Sequence, residues 1–169
     1  MAAAQLFRSS GDGTYKQIAE DYLRERKENY SEEPFVFYGV LAYISAEKGT
    51  DRDLCTAVMR DMVERTESIC KDVKKDSLFG TGTRTVESNL SNMLHLSFVN
   101  YLTPSKEYTV IIENTIQYMG GLNESGICYM GADGSWINAV TADGRGFEWN
   151  GIMLLAMSDM LKNFSEAAM

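Results

Sequence analysis

Histidine is nearly missing from this chain of 169 residues: His95 is the only one. Any Ser-His-Asp or Cys-His mechanism would have to run through it. His95 lies inside a helical pattern, Asn92-Met93-Leu94-His95-Leu96, so packing in the core or on a helix surface is expected of it. Cysteine is scarce too. Cys55, Cys70 and Cys128 are odd in number, far apart, and form no CxxC. With a single histidine, that argues against a zinc site and against a disulfide framework, and buried structural thiols are expected. No metal and no cofactor is expected. The two prolines, Pro34 and Pro104, both stand where a helix can start. No apolar stretch is long enough to cross a membrane. Basic residues number 16 against 24 acidic, for a net charge of −8. An anionic surface repels a phosphate backbone, which excludes general nucleic-acid binding. Neutral and cationic partners stay open, sugars among them.

What is present is helix. The 44% apolar content and the length suit one domain, residues 1–169, with a real core. Ala2 to Ser9 reads as a short helix without a capping residue before it, as though cut out of something longer. MAAAQLFRSS has no basic leader and no cleavage pattern. Gly11-Asp12-Gly13 breaks the helix, and Thr14 is expected to cap the next one. In that helix Tyr15, Ile18, Ala19, Tyr22 and Leu23 form an apolar face, and RERKEN closes it with solvated charge. Ser31-Glu32-Glu33-Pro34 starts a helix whose core, FVFYGVLAYI, is apolar nearly all round and therefore buried. Lys48-Gly49 should end it.

Thr50, helped by Asp51 and Asp53, is expected to cap a long outer helix. Its dry side is Leu54, Val58, Met62, Ile69 and Val73; its wet side is Arg52, Arg60, Asp61, Glu64, Arg65 and Lys71. A loop runs from Ser77 to Thr85. A helix follows over Val86 to Leu102, with Leu90, Met93, Leu94, Ser97, Phe98 and Tyr101 on one face. Pro104 should open the next, lined by Tyr108, Ile111, Ile112, Thr115, Tyr118 and Met119 and stopped by Gly120-Gly121. Asn150 can cap a last helix through about Asn163, lined by Ile152, Leu155, Ala156, Asp159 and Met160. The sum is about seven antiparallel helices, buried and half-wet in alternation, as two concentric rings would require.

Between the last two helices lies an irregular stretch, Tyr118 to Leu155, rich in Gly, Asn, Asp and aromatics. SWINAV and GRGFEW flank Thr141-Ala142-Asp143-Gly144, where a short hairpin would fit. Glu148 sits there between Phe147 and Trp149. Aromatic neighbours can strip solvent from a carboxyl and raise its pKa, which suits a general acid. A Glu beside a helix N-terminus is equally favoured by the dipole alone.

Four pieces of this chain resemble glycoside hydrolase family 9, the inverting cellulases. The opening AAAQLFRSSGDGTYKQIAEDYL is similar to the family's "AAAELYRATGD…Y". Glu87-Ser88-Asn89, leading into LSNMLHLSFVNYLTPSKEYT, looks like its "GSN" loop and the barrel-lining helix after it. Tyr118-Met119-Gly120-Gly121-Leu122-Asn123 through Tyr129-Met130-Gly131 resembles "YLLGxN…SYVTG". Trp149-Asn150-Gly151-Ile152 is similar to the "WNxPLV" that opens the last barrel helix. Order and spacing together are more specific than any one piece.

The resemblance covers nearly the whole chain and the C-terminal half of the family's catalytic domain. It implies an all-α fold forming part of an (α/α)6 barrel. It implies β-1,4-glucan hydrolysis, a β-glucan oligosaccharide or polysaccharide as partner, and secretion. It implies Glu148 as the general acid, with Asp143 as second choice. Tyr129 and Trp136 would stack on glucose rings; for Tyr129, core packing is the alternative. Asn123 is expected to satisfy loop backbone. The family's catalytic base, one of an Asp pair, belongs to the N-terminal half and has no counterpart in these residues. The family's His-His-Arg segment is replaced by GADGSWINAV. One acid without its base should not cleave cellulose, so activity would require the missing half. A helical module that binds carbohydrate or protein without catalysis is the other expectation.

Overall fold

The computed structural model describes residues 1–26, 30, 34–47, 49–76, 85–130 and 150–158. The fold is all-helical, with no strand among the described residues. The helices are α1 (Ala2–Ser10), α2 (Gly13–Arg26), α3 (Pro34–Ile44), α4 (Arg52–Asp76), α5 (Val86–Leu102), α6 (Lys106–Met119) and α7 (150–158). Contacts divide the chain into two compact units, Met1–Arg65 and Thr66–Met169, and the division falls inside α4.

In the first unit α1 packs against both α2 and α3. Gly11 ends α1 at φ 71°, donating its N–H to the Phe7 carbonyl at 2.8 Å. That left-handed position costs a glycine nothing. Phe7 is buried and meets the Tyr43 ring, centroid to centroid, at 5.9 Å. The cap of α2 is Asp12, not Thr14: its Oδ1 accepts from the Thr14 N–H at 2.7 Å. Because α2 already begins at Gly13, Thr14 is one of the orphan donors of the first turn and needs an acceptor itself.

Helix α3 buries Val36, Phe37, Val40, Ala42 and Tyr43, as an all-round apolar helix must. Gly39 lets the start of α1 come close, since a Cβ there would stand 3.1 Å from the Met1 backbone. The helix stops at Ile44, short of the expected Lys48-Gly49, although Gly49 does take φ 88°. The cap of α4 is Asp51, not Thr50: Asp51 Oδ1 accepts from the Leu54 N–H at 2.9 Å. Leu54, Val58, Met62 and Ile69 form the dry side, with Val73 half-buried. Arg52, Arg60, Glu64 and Lys71 are exposed, whereas Asp61 and Arg65 are half-buried.

In the second unit α5 packs against α6. Thr85 caps α5, its hydroxyl accepting from the Ser88 N–H at 3.2 Å. Asn89, Leu90, Met93, Leu94, His95, Leu96, Ser97, Val99 and Asn100 are all buried, so α5 is covered around most of its circumference and not along one face. His95 is 2% exposed, a packed residue and not an accessible base. Tyr101, expected on the dry face, is 61% exposed in the helix's last turn. Helix α6 starts two residues later than Pro104 suggested, with Ser105 at its N-cap position. Asn100 makes that junction: its Oδ1 accepts from the Ser105 N–H at 2.8 Å and its Nδ2 donates to Thr109 Oγ1 at 3.3 Å. Ile111, Ile112, Thr115 and Met119 are buried and Tyr108 and Tyr118 half-buried.

In α7 the dry residues are Ile152, Met153 and Ala156, while Leu155 is 41% exposed. Asn150 is already helical; the expected extension to Asn163 lies outside the described residues. Of the thiols, all free, Cys70 is buried and Cys55 half-buried, but Cys128 is exposed, because it falls in a surface loop and not on a helix.

Candidate functional site

The segment after α6 folds back onto the helix it leaves. Gly120 donates to the Ile116 carbonyl at 2.9 Å and Leu122 to the Gln117 carbonyl at 3.0 Å, which closes the helix end. Gly121 then takes φ 109°, and a Cβ there would sit 3.4 Å from the Cys128 backbone nitrogen. The returning chain is in ordinary contact there, and it is the positive φ that calls for glycine.

Asn123 holds the loop that this reversal creates. Its Nδ2 donates to the carbonyls of Tyr118 at 2.8 Å and Ile127 at 2.6 Å. Its Oδ1 accepts from the Ile127 N–H at 3.1 Å and the Ser125 hydroxyl at 2.9 Å. Both donors and both lone pairs of the amide are thereby engaged. Asn123 satisfies loop backbone and has nothing left to offer a ligand.

Tyr129 is delivered by this loop. Its N–H donates to the Met119 carbonyl at 2.9 Å. Its ring lies nearly parallel to that of Tyr118, with centroids 6.2 Å apart and 20° between planes. Burial pushes the Tyr118 phenol above its ordinary range, and Tyr129 adds to the shift. Both rings are half-exposed, so Tyr129 is neither core nor free in solvent. Glu148, Asp143 and Trp136, and the hairpin proposed around Asp143, lie outside the described residues.

A second polar cluster went unseen in the sequence. Glu20, in α2, is 4% exposed, and Tyr43, in α3, is fully buried. The Tyr43 hydroxyl donates to Glu20 Oε1 and accepts from the Asp51 N–H at 2.7 Å. Arg24 bridges Glu20 at 3.3 Å and Asp51 at 2.8 Å, and Lys16 approaches Glu20 at 3.6 Å. Burial and the Glu20 carboxylate together push the Tyr43 phenol well above its usual value. The RERKEN segment is therefore not simply solvated charge. Glu20 follows Ala19 and precedes Leu23 by three, which puts it on the dry face; Lys16, Glu20 and Arg24 repeat every four residues. That spacing was the available signal. Acid–base chemistry needs an approach for substrate, and this carboxyl has none. The cluster is a structural tie between α2, α3 and the start of α4.

Among the described residues no group of three or more His, Cys, Asp or Glu is placed to hold a metal ion, and no helix is long and apolar enough to cross a membrane. Compared with protein families, with curated proteins and with solved structures, the chain finds no match in any of the three.

Proposed function

We propose that this chain is the C-terminal portion of an inverting β-1,4-glucanase, its helices belonging to an (α/α)6 barrel that the N-terminal half completes. Glu148 is the general acid that protonates the leaving glycosidic oxygen, with Asp143 next in line. A base in the other half activates water across the scissile bond; inversion asks for about 6.5–9.5 Å between the two carboxyls. Tyr129 and Trp136 stack on glucose rings, whose axial C–H faces are apolar while their rims are polar. The acidic surface suits a neutral sugar and repels nucleic acid. Secretion follows from the family reading.

One observation carries this reading furthest. One segment that resembles the family, YMGGLN through CYM, is a tightly hydrogen-bonded loop that holds a half-exposed tyrosine at its end. A rigid aromatic with one side against the protein is what a stacking subsite needs.

The test is hydrolysis of cellohexaose by this chain joined to its base-bearing half, with and without Glu148→Gln. The amide cannot donate a proton, so turnover should fall about 10²-fold or more. An activated aryl cellobioside, whose leaving group needs no proton, should lose much less. Unchanged turnover on cellohexaose would remove Glu148 from the role and pass the question to Asp143. Cellohexaose binding without hydrolysis in the joined protein would favour a carbohydrate-binding module instead.

A further inference from the structure

We infer that Tyr118 is a positioning residue for Tyr129, making the two tyrosines one preorganised platform for a glucose ring. The inference rests on the reading of Tyr129 as a stacking residue and extends it to a side chain that reading left in the helix.

Three independent ties converge on Tyr129. The first is backbone: the Tyr129 N–H on the Met119 carbonyl at 2.9 Å fixes where the residue leaves the helix end. The second is Asn123, whose Nδ2 joins the carbonyls of Tyr118 and Ile127. One amide thus clamps the backbone of the first tyrosine to the backbone two residues ahead of the second. The third is the ring pair itself, near-parallel with centroids 6.2 Å apart. A loop tyrosine fixed only at its backbone keeps two free torsions, and holding them on binding costs conformational entropy. Tyr118 removes that freedom in advance. Because it stands on α6, a helix whose Ile111, Ile112, Thr115 and Met119 are buried, the plane of the Tyr129 ring is referred to the core and not to the loop.

Two readouts on this chain separate the positioning role from the sugar role. With ¹³C-labelled tyrosine, the Tyr129 ring resonances should shift and broaden in Tyr118→Ala and stay near wild type in Tyr118→Phe, which keeps the ring. Unmoved Tyr129 resonances in Tyr118→Ala overturn the inference, whatever the sugar does. Titration with cellohexaose should show about tenfold weaker binding for Tyr129→Ala and about three- to tenfold weaker for Tyr118→Ala, the span that an aromatic pair supports. Tyr118→Phe should restore most of the loss. Weakening in Tyr129→Ala with full affinity in folded Tyr118→Ala overturns the inference and leaves the stacking site standing. Equal affinity for wild type and Tyr129→Ala removes the stacking site, and the inference falls with it.

Discussion

Among the described residues, the Met1–Arg65 unit and the Thr66–Met169 unit each hold a dense polar network, and the two are built on opposite terms. Around Glu20 and Tyr43 the network is charged and dry. A carboxylate 4% exposed is matched by a phenol, two cations and a cap. Around Asn123 it is neutral and half-wet, one amide serving four backbone and side-chain partners. A buried carboxylate is tolerable only when every lone pair is matched, so the first network fixes three elements in one arrangement. An amide at the surface can exchange any partner for water, so the second shapes a loop with little stake in the core. Dense hydrogen bonding therefore does not mark a functional site by itself. What separates the two is access: Tyr43 is sealed, whereas Tyr129 is half-exposed.

The contrast can be broken most forcefully at Tyr43. Tyr43→Phe keeps the ring against Phe7 but leaves Glu20 Oε1 with Lys16 alone and strands the Asp51 N–H, and should lower stability by about 2–3 kcal/mol in urea unfolding. Adding Glu20→Leu, so that neither partner is left polar, should return part of the loss; a further fall of similar size would show that Glu20 is held by its cations instead. Next in size is Asn123→Ala. The freed carbonyls of Tyr118 and Ile127 can turn to water, so the expected cost is about 1 kcal/mol, with faster hydrogen exchange at the Ile127 amide and little change around Glu20. Equal damage in both regions would erase the distinction drawn above.

The smallest effect is in acid. The Leu54 N–H, and then Arg24, hold the Asp51 carboxyl below its usual range against the opposing effect of burial. A lowered folded pKa gives stability that is complete above the unfolded value, about 3.9, and is lost as pH falls through the folded one. Asp51→Asn keeps the cap and drops the charge. Its deficit in melting temperature should be constant from about pH 5 to 8 and close below about pH 4, where the wild-type carboxyl titrates. A deficit that persists at pH 2 would mean that Asp51 acts through geometry alone.

Periodicity revealed most of the helices, because one dry face per helix is a local property. Val86–Leu102 is a case where the spacing and the observed bounds agree. Caps were harder. Thr14 and Asp12, or Thr50 and Asp51, are neighbours of equal competence, and the choice depends on which residue first turns helical. Pro104 misled for a related reason: Asn100 reaches across the junction and sets Ser105 as the cap position. Tyr101 and Leu155 fit their patterns and are exposed, since a pattern cannot tell where along a helix the cover stops. Glu20 was hidden by its type. A carboxyl on a dry face reads as an error until Tyr43 and Arg24, distant in sequence, arrive to match it. Of the candidate site, the loop with Asn123 and Tyr129 was legible from Gly120-Gly121 and the resemblance. The backing by Tyr118 was not, because it depends on the reversal at Gly121.

The exposed thiol beside that platform gives the chain a natural optical handle. Cys70 is buried, and burial raises the Cys55 thiol, so a maleimide dye at neutral pH meets Cys128 first. Cys128 adjoins Tyr129 in sequence and abuts Gly121, which puts the fluorophore on the same loop as Tyr129. A single label, with no engineered cysteine, would then report on the proposed stacking of a sugar at Tyr129 as a change of emission.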